Sequence, residues 1–148
     1  MLIAFSWTIV VCFIGFQYLR EKEYKSGFLS AQLQQYNRHL LVAIEDGESY
    51  EEYIASHEKP FDDLRITLIT LSGAVIFDNT IPADSLGNHS NRPEIVDAFK
   101  GGSGYHIGRQ SESDGREYFY SATRGERVIV RTAMPYSSTL RDLLEADW

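Results

Sequence analysis

Cysteine is almost absent from this chain, and positive charge is in the minority. The one thiol, Cys12, lies inside an apolar stretch, so no intramolecular disulfide can form and no paired-cysteine zinc or redox motif exists. Lysine and arginine number 14 against 21 aspartates and glutamates, a formal net charge of -7. Nucleic acid is held through a basic face that answers its phosphates, so the balance argues against that class of partner. The four histidines, His39, His57, His89 and His106, lack the paired spacing of a metal site. Gly101-Gly102-Ser103-Gly104 fails as a nucleophile elbow because Tyr105 takes the last glycine position, and it lacks the Lys-Ser/Thr of a phosphate loop. The acidic run Glu45-Asp46-Gly47-Glu48, with Glu51 and Glu52, reads as a solvated helix end rather than a cation site. These absences point to a chain with no catalytic machinery, metal or cofactor of its own.

What is present begins with one uncharged run. From Leu2 to Leu19 the residues are largely Ile, Val, Leu, Phe, Trp and Cys, closed by Arg20-Glu21-Lys22-Glu23. About 18 such residues are just enough to span a hydrocarbon core as a helix. A buried core helix and a cleaved signal peptide are the rivals. Against the second, no basic segment precedes the run and no A-x-A site follows it. Charge gives an opposing hint about orientation, since Arg20, Lys22 and Lys25 follow the run and would favour a cytoplasmic C-terminal side.

Beyond the run the pattern stays helical. Leu29, Leu33, Tyr36, Leu40 and Ala43 or Ile44 recur at 4-3 spacing, which makes an amphipathic helix continuing the first one. The stripe can pack on the protein's own sheet, form a homodimer seam, or do each at a different height. Asp46-Gly47 ends the helix, and a short helix from Tyr50 to Ser56 follows. Leu64 to Leu71 and Ala74 to Asp78 read as a hairpin around Ser72-Gly73. A loop from Asn79 to Asn91 leads into a helix with Pro93 at its first position, Glu94 at the positive end of the dipole, and Gly101-Gly102 as its stop. Strands are expected over 104–111, 116–123 and 127–133. Ser137 or Ser138 can cap an exit helix through Trp148.

The inventory predicts an α+β fold: a five-stranded antiparallel sheet with one face on the long helix. The expected organisation is a transmembrane helix over 1–19, a juxtamembrane and possible dimer helix over 20–46, a sheet domain over 47–135 and an exit helix over 136–148. Alternation puts Tyr105, Ile107 and Arg109 on one face of their strand, Tyr118 and Tyr120 on one face of the next, and Arg127, Ile129 and Arg131 on one face of the last. Aromatic rings beside arginines suit an anionic or carboxylate ligand. The candidate ligand-binding set is Arg92, Tyr105, Tyr118, Tyr120 and Arg131.

One resemblance is carried by particular residues. They are Arg65-Ile66-Thr67-Leu68-Ile69 with the Ser72-Gly73 turn and Phe77-Asp78, then Asn88-His89-Ser90-Asn91-Arg92-Pro93-Glu94-Ile95, Ala98, Gly101 and Gly104-Tyr105. Tyr118-Phe119-Tyr120-Ser121-Ala122 and Val128-Ile129-Val130-Arg131 complete the pattern. Over 64–133 the chain resembles the extracytoplasmic PAS-like (PDC or Cache-type) domain of bacterial membrane sensor histidine kinases, nearest to the phosphate-response class. The resemblance implies a sensor in the bacterial inner membrane, with the domain outside and the kinase module further along the polypeptide; a homodimer is the expected assembly. A small anionic ligand or a partner protein would supply the stimulus. Sensor regions of chemoreceptors or cyclic-dinucleotide enzymes, and a structural membrane-anchored interaction module, are the alternatives.

Overall fold

The computed structural model describes residues 1–111 and 115–135. The expected exit helix over 136–148 and most of the Ser113-Asp114-Gly115 turn lie outside the described residues. Helix α1 runs unbroken through Leu2–Glu45, followed by α2 (Tyr50–Ser56), strands β1 (Arg65–Thr70) and β2 (Val75–Asp78), helix α3 (Pro93–Gly101) and strands β3 (Ser103–Gln110), β4 (Glu117–Arg124) and β5 (Val128–Pro135). The strands form one antiparallel sheet in the order β2-β1-β5-β4-β3. The α+β architecture, a long N-terminal helix on a five-stranded antiparallel sheet, is the one the sequence predicts.

Helix α1 has two unlike halves. Its first half is apolar and exposed, with Ile3, Trp7, Phe13 and Phe16 all open. By length and composition it is a segment that can cross a membrane. The second half buries Leu29, Leu33, Tyr36 and Leu40 against Ile66 and Leu68 of β1, Phe119 of β4 and Val130 of β5. Burying each of these side chains contributes roughly 1.5–3 kcal/mol, which is why a polar-flanked stripe suffices to dock the helix. The stripe therefore serves the protein's own sheet. The helix ends where Gly47 takes φ 85, with the amides of Gly47 and Glu48 donating to the carbonyls of Ile44 and Ala43. That pair of bonds satisfies carbonyls the last turn would leave open.

One polar residue interrupts the stripe. Asn37, fully buried, donates through Nδ2 to the Ser121 carbonyl and Thr123 Oγ1, both at 3.2 Å, and accepts from Thr132 Oγ1 at 2.9 Å. Apolar contacts tolerate sliding, whereas these bonds admit a single register of α1 on the sheet.

The other face of the sheet is covered by α3 and by the strap from Asn79 to Asn91, which contains a short 3-10 turn at Ala83–Ser85. Ile95 and Ala98 of α3 pack on Ile69, Ala122 and Ile129. The contact is close enough that a Cβ at Gly104 would strike the Glu94 carbonyl and Asp97. The strap is tied to the hairpin turn, where His89 N donates to the Gly73 carbonyl at 2.9 Å and Asn88 Nδ2 to the Ser72 carbonyl at 2.9 Å. Gly73 itself has φ 93, and a Cβ there would meet Asn88 and Ser90. We expect Gly73→Ala to lower stability by at least about 1–2 kcal/mol from the left-handed backbone alone. Thermal denaturation of the full chain in detergent checks this, and an unchanged midpoint would mean that the turn does not hold Gly73 in this left-handed conformation.

Candidate functional site

The face under α3 and the strap carries an unusual load. Arg65 of β1 and Arg131 of β5 are each only 2% exposed. Burying a guanidinium costs several kcal/mol unless it is paired and hydrogen-bonded. Strand alternation forces both side chains inward, because Ile66, Leu68 and Val130 take the face toward α1.

Each arginine finds a carboxylate and an aromatic face. Arg65 Nε lies 2.9 Å from Asp78 Oδ2, its Nη1 donates to Ser111 Oγ at 3.4 Å, and its guanidinium sits 5.5 Å from the centre of the Tyr118 ring. Arg131 Nη1 lies 3.3 Å from Glu94 Oε1, and its guanidinium sits 4.7 Å from the centre of Tyr120. Thr67 joins the two halves. Its hydroxyl donates to Asp78 Oδ2 at 2.8 Å and accepts from Arg131 Nη2 at 3.3 Å. Asp78 Oδ1 meanwhile accepts the amides of Thr80 and Ile81, which turns the chain into the strap. A single network thus runs from α3 through β5 and β1 to β2 and the head of the strap.

His89 closes the site from above. It is 3% exposed, and its Nδ1 lies 2.7 Å from the Gly87 carbonyl. Burial is the main cause that pushes its pKa down from 6.5 to about 4, and the charges of Arg131, Arg92 and Arg65 push the same way. The Gly87 carbonyl opposes them. On the far side of the molecule, burial and then Tyr53 push the Tyr36 phenol up to about 12.

Of the candidate set, the structure brings Arg131, Tyr118 and Tyr120 together on this face. Arg92 is the N-cap residue of α3 and acts electrostatically on His89. Tyr105 does not join them. It stacks on Phe119 at 6.0 Å between ring centres, on the face toward α1, and it lines an open groove of about 630 Å³ with Gly27, Ser30, Gln34 and Asp97. Ile107 packs on that same core. After His106 the register shifts through a bulge where Gly108 has φ 69. Arg127 precedes β5 and lies exposed in the turn rather than beside Arg131.

Sequence reasoning missed Arg65, Thr67, Asp78, Glu94 and His89 as members of the site. Glu94 passed for a helix-dipole partner, yet it is fully buried on Arg131. A usable signal was the Arg65-x-Thr67 spacing, which puts two polar groups on one face of the strand while Ile66 and Leu68 take the other.

Chemically, the one hydroxyl seen on a carboxylate in this network, Thr67 on Asp78, is buried together with its partner, and no group of three or more potential metal ligands occurs among the described residues. What it can do is couple elements: a displacement of α3 pulls Glu94 against Arg131, and the next residue of β5, Thr132, holds Asn37 of α1. No family model matches this chain, and no curated protein or solved structure matches it either.

Proposed function

We propose that this chain is the sensing region of a bacterial membrane receptor, anchored in the inner membrane by the first half of α1 with its PAS-like sheet domain outside. The receptor is a two-component sensor histidine kinase, and the described residues relay the stimulus rather than catalyse. The observation that carries this reading is the continuity of α1: one helix joins an apolar, exposed, membrane-length segment to the sheet through Asn37 and the Leu33–Leu40 stripe. A stimulus that shifts α3 or the strap changes the free energy of one α1 position against another, and only such differential contact can move the equilibrium.

A homodimer suits this role. The stripe facing the sheet is used up, so the dimer contact falls to the outward side of α1, where Tyr24, Phe28 and Val42 are 76%, 60% and 54% exposed.

The placement has a direct test. In a Cys12→Ser background, Glu58→Cys puts one thiol at an exposed position of the sheet domain. A membrane-impermeant maleimide should label it in intact spheroplasts. Labelling only after lysis would overturn the outward placement and vindicate the charge pattern of Arg20, Lys22 and Lys25.

Direct binding of a small anion at Arg131 is a second reading, favoured by the ring face of Tyr120 beneath the guanidinium. The anion would have to displace Glu94. Thermal denaturation against phosphate and small carboxylic acids separates the readings, because a ligand that prefers the native state raises its melting temperature. A shift that Tyr120→Leu removes would support direct binding; no shift would leave the cover, α3 and the strap, as the stimulus-receiving part.

A further inference from the structure

We propose that the strap from Asn79 to Asn91 is an acid-operated latch, closed while His89 is neutral and released when its imidazole takes a second proton. The geometry fixes the tautomer. A carbonyl oxygen only accepts, so the 2.7 Å contact to Gly87 requires the proton on Nδ1 and leaves Nε2 as the basic nitrogen. The side chain is 3% exposed, so a proton added there places a charge out of water.

Burial and the charges of Arg131, Arg92 and Arg65 oppose that charge, and the groups facing it come from every packed element. Arg65 comes from β1, Asp78 from the end of β2, Arg92 from the cap of α3, Glu94 from α3, and Arg131 from β5. Tyr118 and Tyr120 of β4 and His106 of β3, which pairs with Tyr120, complete the face. The carboxylates of Asp78 and Glu94 are engaged with Arg65 and Arg131. Among the described residues, the charges of Arg131, Arg92 and Arg65 thus act on His89 against its taking a proton.

His89 is also the mechanical pin of the strap. Its amide donates to Gly73 on the hairpin and its carbonyl accepts from the amide of Arg92 at the start of α3. Expelling the ring therefore loosens both the strap and the helix that carries Glu94.

The sign follows from the proton balance. The closed form holds His89 depressed to about 4, while the opened strap returns it to an ordinary 6.5. The open form binds the proton more tightly, so opening becomes easier as pH falls below 6.5 and the gain ends near 4. From pH 7.5 to 5.5 the opening equilibrium rises about tenfold. That this serves as a stimulus rests on the sensor reading above; the latch itself does not.

Hydrogen exchange of the full chain in detergent, corrected at each pH for the rate of an unstructured peptide, tests it. At pH 5.5 the amides of 86–95 should open about tenfold more often than at pH 7.5, with the central strands β1 and β5 unchanged. His89→Gln, which keeps a donor for Gly87 but cannot be charged, should remove the difference. An equal acid response in both proteins, or none in the wild type, would overturn the latch. Should the variant fail to fold, titration of the His89 imidazole by NMR in the wild type decides: a midpoint well below 6.5 supports the proposal, and one at or above 6.5 refutes it. Neither measurement depends on the side of the membrane, so failure of the outward placement and failure of the latch remain distinguishable.

Discussion

Asp78→Ala is expected to destabilise the sheet domain by about 3–5 kcal/mol, the range for removing one partner of a buried ion pair. The loss is larger than for any surface pair here because the partner left behind, Arg65, is 2% exposed and cannot reach water without unfolding the strap. Asp78 also accepts from Thr67 Oγ1 and from the amides of Thr80 and Ile81, so alanine breaks the turn that starts the strap as well. By contrast, the exposed pair of Lys25 with Glu21, at 3.3 Å, is of the kind that contributes at most about 1 kcal/mol. Urea denaturation of the full chain in detergent reads the difference. The double variant Arg65→Met with Asp78→Leu is the informative control. Both variants lose the bonds from Thr67, Thr80 and Ile81, but the double also removes the stranded Arg65 charge, so it should cost less than Asp78→Ala alone. If the single substitution is as mild as the double, the pair is solvated in solution and the closed face described here is open.

Local features of the fold were legible in the sequence because local chemistry sets them. Pro93 at the first position of α3 and Gly102 in its left-handed cap mark both ends of that helix within a residue. The 4-3 stripe of α1 identified the side chains that dock on the sheet, and it did so because burial of Leu33 and Leu40 is what holds the helix there. The site was less legible. Although Asp78 meets Arg65 and Thr67 within one hairpin, the contacts of Arg131 join residues 37 and 64 positions apart in the chain, with Glu94 and with Thr67. No local rule brings such groups together; only the sheet order does, since β5 inserts between β1 and β4. Tyr105 shows the cost of an unknown register. It lies one residue from His106, whose backbone pairs with Tyr120, and that single step puts its ring on the opposite face from the arginines.

Asn37→Leu is expected to cost about 3 kcal/mol, from several buried polar groups losing a partner at about 1–3 kcal/mol each. Leucine would extend the apolar stripe between Leu33 and Leu40, so a purely hydrophobic account predicts the opposite sign. The polar count decides. The Ser121 carbonyl and the Thr123 and Thr132 hydroxyls all bond Asn37, and Ser121 Oγ already has no partner, so this interface has little capacity to absorb another loss. Thr132 can fall back on the Ser121 carbonyl only at 3.5 Å. The position of these bonds matters as much as their energy. Ser121 and Thr132 are the immediate neighbours of Tyr120 and Arg131, and alternation sends one of each pair to α1 and the other to the arginine face. Motion of β5 at Arg131 is therefore felt at Asn37 with no intervening loop. The variant should lose stability in urea and also lose its single helix register, which disulfide trapping between cysteines placed on α1 and β4 would show as several trapped pairs in place of one. A stable variant that still traps one pair would mean that leucine packing alone sets the register, and that the signal to α1 must leave the sheet by another route.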